Sequence, residues 1–147
     1  WMLIDGVTDA DAIPALSAMV EFAGKRQELI AHNVANISTP NFRPVDVSVE
    51  RFRGQLAEAV DRRRERFGGQ RGDLRMSPTK EVAQDRSGRL WIRPTEAGRN
   101  VLFHDRNNRD VERLMQDLAE NTAVFRVATD LLRAQTEQLR SAISLRV

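Results

Sequence analysis

Residues 31–43 read AHNVANISTPNFR, and within them a helical pattern gives way to a proline-punctuated, extended one. Asn33 and Asn36 are three apart, so on a helix they share a face and can offer amide donors and acceptors to one partner. Thr39-Pro40 ends the helix, because Pro40 has no N–H and its ring pushes Thr39 out of the α region. Pro44 repeats the instruction, leaving Phe42 as an apolar anchor on a chain that can no longer be helical. Taken alone, these residues describe a helix C-terminus with polar capping groups. They divide the chain into an N-terminal helix and motif (1–40), an extended, Arg-rich middle (41–104) and a second long helix (105–147).

Upstream, the spacing predicts a helix from near Pro14, with Asp9 and Asp11 placed to complement its N-terminus. Leu16, Val20, Ala23, Gln27, Ile30, Val34 and Ile37 alternate fours and threes, the narrow seam of a coiled coil with one polar member. Lys25, Arg26 and Glu28 fall off the seam and are expected in solvent. Gly24 either admits a close approach by a neighbouring chain or is tolerated slack.

Downstream, Val45, Val47 and Val49 alternate with polar residues, as in a strand. Phe52, Leu56 and Val60 then recur every fourth residue, predicting a short helix that carries Arg62-Arg63-Arg64-Glu65-Arg66. Gly68 to Gly72 is a break without the P-loop Lys-Ser/Thr or the dinucleotide-binding glycine spacing. Leu90-Trp91-Ile92 and Val101-Leu102-Phe103 either pair as a small hairpin or each pin a loop. The second long helix is expected from Asp110 to Leu145 with Asn108 as its N-cap. Its seam is Val111, Leu114, Leu118, Asn121, Phe125, Ala128, Leu132, Gln135, Leu139 and Ala142, about 50 Å of helix. Val124, Val127, Leu131 and Ile143 broaden the stripe beyond a two-stranded seam, and Asn121 and Gln135 can fix register. The first helix is too short to cover so long a partner, so the excess seam is expected to meet another subunit. The fold class is therefore mainly α: long N- and C-terminal helices packed as an antiparallel coiled-coil pair, with an extended, loop-rich middle that has room for a small β-hairpin.

Composition narrows the function classes. The 147 residues are 41% hydrophobic but only 5% aromatic, with no Tyr, which suits an elongated aliphatic core. No Cys is present, which removes disulfides and thiol chemistry together. The net charge is only +2 despite an isoelectric point near 9.9, because the basic residues other than Lys25 and Lys80 are arginines, which hardly titrate. Arg62, Arg63, Arg64 and Arg66 could contact phosphate, an acidic partner or an anionic membrane surface, or form a solvated face. His32 and His104 have no carboxylates at metal-ligand spacing, and no G-x-S-x-G or Walker A sequence occurs, so no catalytic, metal or cofactor site and no small-molecule substrate is expected. No positively charged n-region or spanning apolar stretch is seen, so neither a cleaved signal nor a membrane anchor is expected.

Helix, then His32-Asn33-Val34-Ala35-Asn36-Ile37-Ser38-Thr39-Pro40-Asn41-Phe42, then an extended segment, resembles the N-terminal signature of the flagellar axial proteins, the rod, hook and hook-associated subunits. The short chain and the run from Asn107 to Asn121 resemble the proximal rod type in that family. The resemblance covers roughly residues 14 to 49 and 100 to 145, and it makes Asn33, Asn36, Thr39, Pro40 and Phe42 the axial motif. It makes Leu16, Val20, Ile30, Val34, Leu114, Leu118, Phe125, Leu132 and Leu139 the assembly seam. It implies a structural subunit of the basal-body rod that serves motility, exported by the flagellar type III apparatus without cleavage and assembling in the periplasm. Its implied partners are itself, other rod subunits, and membrane-ring and adaptor proteins at the rod base. Arg106 stands where that family commonly has Gly before the C-terminal helix. The alternative reading is a helical binding module whose arginines hold an anionic partner such as RNA; low aromatic content and near-zero net charge make nucleic acid the weaker expectation.

Overall fold

A computed structural model of the chain describes residues 12–68, 72–96 and 106–145. Helix α1 spans Ala12–Asn36, α2 Val49–Phe67 and α3 Arg106–Ser144. Strand β1 (Val45–Asp46) pairs antiparallel with β4 (Thr95–Glu96), and β2 (Val82–Gln84) with β3 (Leu90–Ile92). The molecule is mainly helical, with α1 packed against α3 and two small sheets between them in sequence.

Helix α1 buries two faces rather than one. Leu16, Ala23 and Ile30 lie on the expected seam, while Ala18 and Phe22 face a second core with Val47, Phe52, Leu56, Ala59, Leu74, Met76, Val82 and Leu90. Phe22 and Phe52 stack in parallel at its centre, ring centroids 3.9 Å apart. So the core is not purely aliphatic, and the middle of the chain packs as a unit on α1.

Several local expectations are corrected by what competes for the backbone. The valine alternation yields a strand of only two residues, because Ser48 caps α2: its hydroxyl accepts from the Arg51 N–H, and Val49 is already helical. The Leu90–Ile92 strand pairs with Val82–Gln84, a segment whose polar composition hides it; Val101–Phe103, His104 and Trp1 lie outside the described residues. Helix α3 already runs from Arg106, so Asn108 is inside its first turn rather than at its N-cap. Gly68 closes α2 in the left-handed region (φ 63°), donating to the Arg64 carbonyl.

The two sheets and α2 meet at Glu81, a buried carboxylate. It accepts from the Ser48 N–H at 3.0 Å, from Arg51 at 3.4 Å and from the Thr95 hydroxyl at 3.3 Å. Its position at the start of α2 also complements the helix dipole. Glu81→Ala is expected to cost about 2 kcal/mol, since the Ser48 N–H loses its acceptor in a part-buried place. Urea unfolding followed by circular dichroism checks this; a change within about 0.5 kcal/mol would remove Glu81 from the joint.

Candidate functional site

The helix-end motif is built around Asn33, one of the least exposed side chains of the molecule. Its Nδ2 donates to the Val45 carbonyl at 2.7 Å, and its Oδ1 accepts from the Val45 N–H at 3.1 Å. The amide therefore clamps both backbone groups of one residue, pinning β1 against α1. Asn36 takes no part in that clamp, and its Nδ2 donates instead to the His32 carbonyl at 2.8 Å within the same helix turn. The expectation of one common partner is thus corrected; the helix ends at Asn36 and the two amides separate. Beyond it, Thr39 N–H donates to the Asn36 carbonyl and Phe42 N–H to the Thr39 carbonyl. Thr39 and Pro40 are exposed, and Phe42 is half-buried with its ring edge-on to His32. Asn41 takes the left-handed conformation (φ 62°) that completes the turn, one a short polar side chain tolerates.

Two helical turns before Asn33, Arg26 occupies a position expected in solvent and is buried instead. Its guanidinium meets Asp46 of β1 through two bonds, Nε to Oδ1 at 3.0 Å and Nη2 to Oδ2 at 2.8 Å. The same guanidinium lies 3.9 Å from Asp117 of α3, so a single cation ties three elements together. Burial is the largest influence and pulls its pKa down, but Asp46, Asp117 and Glu120 outweigh it and leave it raised. Asp117 is raised too, by desolvation first and also by the Asp46 and Glu120 charges, which together exceed the pull of Arg26 and Arg113. No signal in the sequence marks this cluster, because Arg26 and Asp46 belong to different periodic patterns.

The α1–α3 seam carries a polar layer where a polar member of each helix meets the other. Asn121 donates to the Ala23 carbonyl at 2.9 Å and to the Gln27 side chain at 2.6 Å, and Gln27 donates to the Thr122 hydroxyl at 3.0 Å. Such a layer fixes register, since sliding α3 by one turn would strand these groups. Around it, Leu114, Asn121 and Ala128 are buried at seven-residue spacing on α3. Val20, Val34, Leu118 and Leu132 are half-buried, and Phe125 packs over Gly24, whose missing Cβ would sit 3.5 Å from the ring. That neighbour belongs to the same chain.

Part of the stripe is uncovered. Val127 (58%), Leu131 (37%), Leu139 (41%) and Ile143 (60%) are exposed on α3. At 39 residues α3 extends for roughly 58 Å, against roughly 37 Å for the 25 residues of α1. The basic run has a different fate from the one its composition suggests. Arg62 donates to the Arg75 carbonyl and Arg63 to the Gly72 carbonyl, so both hold the loop after α2, while Arg64 and Arg66 are exposed. Among the described residues no group of three His, Cys, Asp or Glu side chains could hold a metal, and no helix is long and apolar enough to cross a membrane.

No family model matches the chain, and no solved structure matches it. The flagellar basal body rod protein FlgB of Borrelia hermsii is 30% identical over 110 residues, spanning 72% of this chain and 76% of that protein. At that identity and coverage the chain belongs to the FlgB family, as a structural subunit of the flagellar basal-body rod.

Proposed function

We propose that this subunit joins the rod through the uncovered stripe of α3, which packs against helices of neighbouring subunits. The observation that carries it is the exposure of Val127 and Leu131 beside the α1-facing seam of α3, and of Leu139 and Ile143 toward its C-terminal end. Large apolar side chains exposed along one helix are unfavourable in water and mark an interaction surface. Packing different faces of identical or related subunits is heterologous and need not close, which suits an axial structure. Its partners in this reading are further copies and other rod subunits, with membrane-ring and adaptor proteins at the base and the type III export apparatus as the route out of the cytoplasm. The motif at Asn33 to Phe42 serves this by holding the extended segment against α1, leaving Thr39 and Pro40 on the surface.

Leu131→Asp and Ile143→Asp test the reading. Both positions are exposed, so the isolated chain is expected to keep its stability within about 0.5 kcal/mol. Incorporation into basal bodies purified from cells expressing each variant is expected to fail, with loss of motility. Normal rods containing either variant would sink the assignment of this stripe.

A further inference from the structure

We propose that the solvent face of the β2–β3 hairpin docks onto the outward face of α2 in a second copy, with Trp91 as anchor and Arg89 and Arg93 pairing with Glu58, Asp61 and Glu65. The proposal rests on the assembly reading but uses a different surface. Trp91 is 63% exposed, the largest apolar side chain left in solvent among the described residues. It lies opposite Ala83 across the pair, and Arg89 and Arg93, two residues to either side, project to the same face. The other face, with Val82 and Leu90, is buried in the core.

The turn that leads into this strand is tied down. In the turn before the strand, Asp85 accepts from the Ser87 hydroxyl and from the Ser87 and Arg89 N–H groups, and the Ser87 hydroxyl is the first cause that keeps its carboxyl below the usual range. An indole has few rotatable bonds, so its contact area comes at little entropic cost. Neither Arg89 nor Arg93 has an ion pair among the described residues. The strand therefore presents a flat indole between two uncommitted cations.

The matching face is on α2. Directly opposite its buried side, Glu58, Asp61 and Glu65 are exposed, and Gly54 lies on the same side one turn before them. A Cβ added at Gly54 would meet nothing within 4 Å, so no contact inside the chain requires glycine there. Glycine in a helix interior is costly relative to alanine, and its use is to let a flat group approach the backbone closely. An anionic membrane would engage the arginines but would leave the acidic face and its glycine without a role. The two faces differ, so contact between copies need not close and is compatible with propagation along an axis.

Sedimentation velocity on the full chain over a concentration series tests this with charge reversals. Arg89→Glu with Arg93→Glu, and separately Glu58→Arg with Asp61→Arg, should each raise the concentration for half-association about tenfold or more. Mixing the two variants should restore association, because each reversed face then meets its complement. Trp91→Ser and Gly54→Gln should lose association while circular dichroism shows the fold retained. Unchanged association, no recovery on mixing, or a wild-type chain that stays monomeric at every concentration would overturn the proposal. So would Trp91-dependent binding to phosphatidylglycerol vesicles without self-association. If the α3 variants block rod incorporation while the hairpin variants assemble normally, this contact alone is wrong; if the α3 variants assemble, the assembly reading fails independently.

Discussion

Arg26→Met is expected to lower the stability of the chain by about 3–5 kcal/mol, the usual cost of breaking a buried ion pair from one side. The guanidinium side chain is 10% exposed and Asp46 23%, so water cannot replace the lost partner fully. Asp46 would keep only the Val47 N–H at 2.8 Å on one of its oxygens, with the charge of Asp117 still close by. Urea unfolding followed by circular dichroism gives the number, and a loss under about 1 kcal/mol would show that the cation is not holding the three elements. Arg26→Met with Asp46→Asn should recover part of the loss, because the damage comes from the uncompensated charge.

The Asp117 partner behaves in the opposite sense. Its folded pKa is raised above the ordinary carboxylate value, so the folded state binds that proton more tightly than the unfolded chain does. Its contribution is favourable in acid and is lost as pH rises through the raised pKa. Asp117→Asn should therefore remove that decline and leave stability at neutral pH equal to or above wild type. The same cluster thus contains one indispensable charge and one that the fold tolerates.

What can be read from the sequence follows from which signals are periodic. The three helices, the stop at Thr39-Pro40 and the uncovered length of α3 come from repeating apolar positions and from proline, each acting within a few residues. The second buried face of α1 stays hidden because Ala15, Ala18, Met19 and Phe22 read as ordinary filler beside a stronger seam. Arg26 escapes for a related reason, since its partner is twenty positions away and pairing at that range leaves no local pattern. Strand β2 escapes because Gln84 spends its amide on the Leu74 and Gly88 carbonyls, so a polar residue holds a strand in place. The Arg run looks like a charged surface, whereas Arg62 and Arg63 spend hydrogen bonds on loop carbonyls. Composition reports charge, and geometry decides whether charge is available.

Asn33 and Asn36 look equivalent in the motif, and their replacement should separate them. Asn33→Ala removes the donor to the Val45 carbonyl and the acceptor of the Val45 N–H at once, in a place where Asn33 itself is 1% exposed. Two orphaned backbone groups in a part-buried site cost about 3 kcal/mol together. Asn36→Ala loses only exposed contacts to His32, to its carbonyl and its ring nitrogen, and should cost about 0.5 kcal/mol. Asn33→Asp is the sharper probe. It keeps the acceptor for the Val45 N–H but sets a carboxylate against the Val45 carbonyl, so it should be as damaging as alanine at neutral pH. Protonation would restore a donor, so the deficit relative to wild type should shrink as pH falls. A loss from Asn33→Asp that stays the same across pH would mean that the carbonyl half of the clamp contributes nothing. Because β1 also pairs with β4 and carries Asp46, freeing Val45 would loosen the Arg26 cluster as well, and the losses from Asn33→Ala and Arg26→Met should combine to less than their sum. Rod incorporation of Asn33→Ala should then fail even with the α3 stripe intact, since the extended segment that follows the motif would no longer be held against α1.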